Sequence, residues 1–128
     1  MSDPIQVVTE FLSAMSEGPD GFTKAIRAWF TPETVWENVG MATTTGPDEA
    51  LGLMQSMGAA GIASLRIENV AMASTGRKVL TERIDYMLDA SGATKTEVRC
   101  MGAFDVSPEG KITRWADYFD TASLRPPA

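Results

Sequence analysis

No histidine occurs anywhere in the sequence. That absence excludes Ser–His–Asp hydrolases, Cys–His enzymes and most zinc enzymes, so acid–base chemistry near neutral pH falls to carboxylates, lysine, tyrosine or water. Cys100 is the only cysteine, so there is no internal disulfide, and it reads as a small apolar side chain on a strand. Basic residues are scarce and scattered: 11 Lys and Arg against 17 Asp and Glu give a net charge of −6. A nucleic-acid binder or a protein of anionic membrane surfaces presents a basic stripe, and neither partner is expected. No long uninterrupted apolar stretch and no apolar segment near the N-terminus occur, so neither a membrane span nor a signal peptide is expected, and the location reads as cytoplasmic. No glycine-rich phosphate loop follows a strand and no spacing suggests metal ligands, so no metal or cofactor is expected.

What is present is ordinary for a globular chain. A hydrophobic fraction of 44% over 128 residues suffices for one domain, 1–128, with a real core. The first half reads mostly as helix. Asp3 caps a helix with Pro4 at its first position, and Ile5, Val8, Phe11, Leu12 and Met15 recur at helical spacing until Gly18–Pro19. A second helix runs from about Asp20 on Phe22, Ile26, Trp29 and Phe30, and Thr31–Pro32 stops it. Residues 33–40 alternate as a short strand, and Thr43–Gly46 reads as loop. Pro47 and Asp48 open a third helix carrying Ala50, Leu51, Met54 and Met57.

The second half changes period. Alternating stretches at about 62–74, 78–89, 94–106 and 111–120 are separated by turn signals at 74–76, 90–92 and 107–110. Three helices followed by an antiparallel meander form an α+β pattern, with the helices packed in a strongly curved, mostly antiparallel sheet that makes a cone around a deep pocket. The tail Arg125–Ala128 reads as irregular.

Period two places Thr81, Arg83, Asp85 and Met87 on one strand face, with Glu82, Ile84, Tyr86 and Leu88 on the other. Arg83 and Asp85 are same-face neighbours about 7 Å apart along the strand. On the last strand Trp115, Asp117 and Phe119 share a face. Alternation groups these residues without deciding whether the face is solvated, as for most strand Arg/Asp pairs, or buried. Burial of a carboxylate costs several kcal/mol unless it is paired.

Three segments carry a family resemblance: Glu82–Arg83–Ile84–Asp85, Met101–Gly102–Ala103–Phe104, and the run from Gly110 to Asp120 that ends Trp115–Ala116–Asp117–Tyr118–Phe119–Asp120. With Phe30–Asn38 as a short first strand, the chain resembles the limonene-1,2-epoxide hydrolase family, a branch of the cone-shaped α+β fold of nuclear transport factor 2. The resemblance implies one-step hydrolysis of a hydrophobic epoxide to a vicinal diol, without a cofactor, in a homodimer formed through the outer face of the sheet. It implies Asp117 as general base on the water, Asp85 as general acid on the epoxide oxygen, and Arg83 between them. Asn38 matches the family's water-binding asparagine.

The chemistry is coherent on its own terms. Ring opening needs a nucleophile on one side and a proton on the other. To serve as acid, Asp85 has to hold a proton that a free aspartic acid has lost at neutral pH. An apolar pocket and a second carboxylate favour that, whereas Arg83 favours carboxylate charge. One position departs from the family: Trp36 stands where a tyrosine is expected, two residues before Asn38. A phenol both donates and accepts, whereas an indole N–H only donates, so Trp36 either positions the water with Asn38 less well, lines the pocket, or leaves positioning to Asn38 and a neighbour. Trp29, Met54, Met87, Trp115 and Phe119 are expected to line the pocket. Two rival readings remain: a steroid or polyketide isomerase or cyclase on the same fold, and a non-catalytic protein that binds an apolar ligand.

Overall fold

The computed structural model describes residues 1–124; the tail from Arg125 lies outside the described residues. Helix α1 spans Pro4–Met15, and the Asp3 side chain accepts from the Ile5 N–H at 3.0 Å as its cap. It buries Val7, Val8, Phe11, Leu12 and Met15. Helix α2 spans Gly21–Trp29 and buries Phe22, Ala25 and Ile26. Gly21 lies against α1, where a Cβ would meet the Ala14 carbonyl oxygen at 2.7 Å, so the two helices approach here only because this residue is glycine.

The chain then departs from the sequence reading. Strand β1 (Phe30–Asn38) starts directly at the end of α2, and Thr31–Pro32 lies inside it. The register slips between Phe30 and Val35, which is where a proline without an N–H is tolerated in a strand. Thr34 repairs the slip. Its hydroxyl accepts from the Thr31 N–H at 2.7 Å and donates to the Ile112 carbonyl at 2.6 Å. The segment expected as loop at Thr43–Gly46 is largely strand β2 (Ala42–Thr45), antiparallel to β1. β-Branched threonines suit a strand, and a turn at Gly40 with φ +84° folds it back. Helix α3 follows at Gly46–Ala59 and buries little of itself, chiefly Ala50.

Strands β3 (Ser64–Thr75), β4 (Lys78–Leu88), β5 (Thr94–Val106) and β6 (Ile112–Phe119) form the expected meander. The order across the sheet is β2-β1-β6-β5-β4-β3. All neighbours are antiparallel except β1 and β6, which run parallel. The sheet is curved and unclosed, and α1 and α2 pack into its concave side with an aromatic cluster of Phe11, Phe30, Phe104 and Trp115. The parallel β1–β6 pair has one consequence for function. It aligns Trp36 with Trp115 and Asn38 with Asp117, so elements about 80 residues apart present neighbouring side chains to the same concave face.

Candidate active site

The face of β4 left undecided by alternation is the inner one. Thr81 and Arg83 are buried, and Asp85 and Met87 are partly so. The Arg83 side chain has no exposure at all, while Asp117 keeps 6% and Asp85 17%. Arg83 therefore lies beneath the floor of the cavity, and Asp85 is the most exposed member of the set.

A guanidinium has five N–H donors in a fixed planar fork, and here each has a partner. Nε donates to Asp85 Oδ1 at 3.1 Å and Nη2 to Asp85 Oδ2 at 2.8 Å. Nη1 donates to Asp117 Oδ1 at 3.0 Å, and Nη2 also to Asp117 Oδ2 at 2.8 Å. The last Nη1 hydrogen goes to Thr81 Oγ1 at 3.2 Å. Arg83 thus has no donor left for a substrate; it fixes two carboxylates at a set separation and angle. Burial alone would penalise its charge, but Asp117 and Asp85 outweigh that and hold its pKa well above the ordinary value.

Asp117 has a further donor. Trp115, two residues earlier on the same face of β6, places its indole N–H on Asp117 Oδ1 at 2.7 Å. That indole is held between two rings: Trp36 stacks on it at 4.8 Å between centroids and 14° between planes, and Phe104 at 5.6 Å and 16°. Burial pushes the Asp117 carboxyl above the usual aspartate range, against Arg83 and the Trp115 N–H, which both favour its ionised form. Cys100 completes the surroundings, with its sulfur 3.5 Å from Asp85 Oδ2 as donor, and burial pushes its thiol far up.

Asp85, Cys100, Trp115 and Asp117 form a polar part of the lining of a cavity of about 680 Å³, and Arg83 lies behind the two carboxylates. Asn38, Trp36, Met54, Met87, Trp115 and Phe119 are among its lining residues. Trp29 is not; its ring stands edge-on to Phe11 in the core, because α2 turns it toward α1. Met57, on the same helix as Met54, also lines the cavity, and both methionines pack against the hydrophobic core as well. Trp36 lines the wall, but its indole N–H is buried and has no hydrogen-bond partner among the described residues, and neither has the hydroxyl of Thr44 directly across from it on β2.

Two features of the site went unread in the sequence. Gly102 on β5 faces Asp117, and a Cβ there would collide with Arg83 Nη1 and come within 2.7 Å of Thr81 Oγ1 and 2.9 Å of Asp117 Oδ1. A glycine inside an alternating strand is the available signal for such a close approach. Thr81 as an acceptor for Arg83 had only its shared face to point to it. Asp85, Cys100 and Asp117 bring ligand-type atoms within 4.8 Å of one another, the spacing of a metal site. The donor set does not suit a cation: Arg83 already fills the inner side of both carboxylates with positive charge, and the thiol is held protonated.

Residues 2–125 match the limonene-1,2-epoxide hydrolase catalytic domain. The chain belongs to that family. Among its relatives is the epoxide hydrolase EphG of Mycobacterium tuberculosis, 30% identical over 92 residues, which are 72% of this chain and 58% of that protein. The chain therefore matches a little over half the length of this relative. A solved LEH-like epoxide hydrolase from M. tuberculosis superposes with a TM-score of 0.73 at 27% identity, over 94% of this chain and 85% of that one. An NTF2-like protein of unknown function from Burkholderia pseudomallei superposes at 0.77 with 20% identity, over 97% and 95% of the two chains, and shows the wider fold. Membership supports an epoxide hydrolase at the family level. Among the described residues no helix is long and apolar enough to cross a membrane.

Proposed function

We propose that residues 1–128 form a single domain that hydrolyses a hydrophobic epoxide to a vicinal diol in one step, with no covalent enzyme intermediate. The observation that carries this reading is the pair of carboxylates held on one fully committed guanidinium at the base of an apolar cavity. Asp117 is the base. A water bound between Asp117 and Asn38 loses a proton to Asp117 as its oxygen bonds to an epoxide carbon. The C–O bond of the ring breaks, and Asp85 gives its proton to the departing oxygen. The diol carries both added hydrogens, and a proton then returns from Asp117 to Asp85 before the next cycle. Arg83 holds both carboxylates throughout and stabilises whichever is charged.

Two opposing influences on Asp117 suit this role. Burial raises its basicity above that of a free aspartate, and Arg83 with the Trp115 N–H keeps the ionised form accessible. The Asn38 side of the site supports the water position, because Asn38 and Asp117 are direct neighbours across the β1–β6 pair. Asn38 is the water-holding residue of β1 in this reading, and the Trp36 indole serves chiefly as a stacked wall of the cavity.

The deciding experiment is a single turnover in ¹⁸O-labelled water with enzyme in excess over a cyclic epoxide. Label in the first diol formed means that water attacked the ring. Unlabelled diol, with label appearing later from the protein, would overturn direct attack. Isomerisation of a ketosteroid without hydrolysis of any epoxide would move the reading to an isomerase on this fold.

We further propose that the outer sheet face is covered by a second copy of the chain. Leu80, Met101 and Tyr118 are exposed there, and Met101 lies directly opposite Tyr118 on the neighbouring strand. Light scattering on the wild type and on Met101→Lys reads this: a dimer that dissociates in the variant supports it, and a wild-type monomer sinks it.

A further inference from the structure

Away from its catalytic floor, the cavity wall carries one charged group among the described residues, Lys95. Strict alternation along β5 would turn it outward. Val98, Cys100, Gly102 and Phe104 are the inner set, and Lys95 belongs with Glu97 and Arg99 on the outer one. The strand is irregular at this point. Met87 pairs with Thr96 and Leu88 with Thr94, so Lys95 is the extra residue of a bulge. A bulge re-aims a side chain, and such irregularities are frequent beside functional sites. Here it brings the ammonium to the rim of the cavity over Gly61, where a Cβ would stand 2.8 Å from Lys95 Nζ.

The position is held without being neutralised. Gly61 follows the end of α3, and a cation near a helix C-terminus is favoured by the helix dipole. Among the described residues Lys95 forms no ion pair or hydrogen bond. Asp89, on which the Lys95 charge acts weakly, is held in its own turn through Ser91 and Ala93. Thr96 lines the wall beside Lys95, and Ser56 lines it from α3. Between this rim and the floor the lining is apolar, with Val98, Met87, Ile62 and Leu65. Thr96 and Cys100 are four residues apart on β5, which is about 13 Å along the strand. The cavity thus has two polar poles separated by an apolar span.

We propose that Lys95 is a head-group site, and that the substrate is an amphiphilic epoxide with a carboxylate at the end remote from the ring. This rests on the reading of the floor as an epoxide-hydrolysing site and names the substrate class. The apolar span takes the hydrocarbon, Lys95 pairs with the carboxylate at the rim, and the oxirane lies between Asp85 and Asn38. A protein of net charge −6 would otherwise repel an anionic substrate, so a local cation decides the preference.

The test compares a straight-chain epoxy acid, ring near mid-chain, with its methyl ester. Turnover is measured on the wild type, and binding is measured by tryptophan fluorescence on Asp85→Asn, which holds the probe without consuming it. The acid is expected to show about three- to fivefold lower KM and Kd than the ester at low ionic strength, the range of one solvent-accessible ion pair, with the ratio falling as salt is added. Lys95→Met should remove the preference and Lys95→Glu reverse it. Equal values for acid and ester in the wild type, or a preference that survives Lys95→Met, would overturn the proposal. The two readings fail separately. Hydrolysis with no head-group preference removes the Lys95 site and leaves the hydrolase. Lys95-dependent binding with no hydrolysis leaves the head-group site and removes the reaction.

Discussion

Gly102 and Asp117 face each other across β5 and β6, and the side chain that Gly102 lacks is the space in which Arg83 reaches Asp117. Any Cβ there competes with Arg83, Thr81 and Asp117 at once, and all three are pinned by their mutual hydrogen bonds. Gly102→Ala is expected to destabilise by about 1–3 kcal/mol, as overpacking does, and to lower kcat/KM by tenfold or more. Thermal unfolding with steady-state kinetics checks it. A variant of unchanged stability and activity would mean that the guanidinium moves aside freely.

Asp117→Asn and Asp85→Asn keep the shape of each side chain and remove the base and the acid. Each is expected to lower diol formation by about 10²–10⁴-fold, the usual contribution of a positioned proton-transfer group. The folded state should persist, because an amide oxygen still accepts from Arg83. Full activity in either variant would end the assignment of roles.

Trp36 and Asn38 separate by substitution. The Trp36 N–H makes no hydrogen bond among the described residues, so Trp36→Phe removes ring area and no polar contact seen there. Its activity should stay within a few-fold of wild type, with a loss of about 1 kcal/mol or less in stability if Phe keeps the stack on Trp115. Asn38→Ala should lose about tenfold or more through misplaced water. Equal damage from both variants would show that the indole does hold the water.

The pH dependence follows from burial of Asp117. Its carboxyl is pushed above the usual aspartate range, so the acidic limb of kcat/KM, where the base becomes protonated, should lie above about pH 4. Trp115→Phe removes an N–H that favours the ionised form and should move that limb further toward neutrality. Stability has the opposite sense. A folded-state pKa raised above the unfolded one gives a contribution fully present below the unfolded value and lost as pH rises through the folded value. Asp117→Asn should flatten that decline. A limb at the ordinary aspartate position in wild type and Trp115→Phe alike would contradict the burial argument.

Arg77 tests stability apart from chemistry. It donates to the carbonyls of Val106, Ser2 and Ser107 and to the Ser2 hydroxyl, tying the N-terminus to the β5–β6 turn. Arg77→Ala is expected to cost about 1.5–3 kcal/mol, with kcat unchanged. Chemical denaturation measures the first and kinetics on a cyclic epoxide the second.

Most of the fold was legible in the sequence because its signals are local. Asp3–Pro4 caps α1 as read, and the meander follows the turn residues closely. The misreadings lie where tertiary pairing overrode local preference. Pro32 looked like a stop yet sits inside β1, because the register slip and the Thr34 hydroxyl absorb it. Thr43–Thr45 looked like loop yet pairs with β1.

The sequence by itself determined that Arg83 and Asp85 share a face, that Asp117 stands between Trp115 and Phe119, and that no histidine could do the chemistry. Those statements follow from composition and from the two-residue period of a strand. Only the tertiary structure decided that both faces are inner, that one guanidinium spends all five donors on the site, and that a bulge turns Lys95 to the rim. The reason is that period two groups residues along one strand. Which groups meet depends on strand order, register and sheet curvature, which join residues as distant as Asn38 and Asp117.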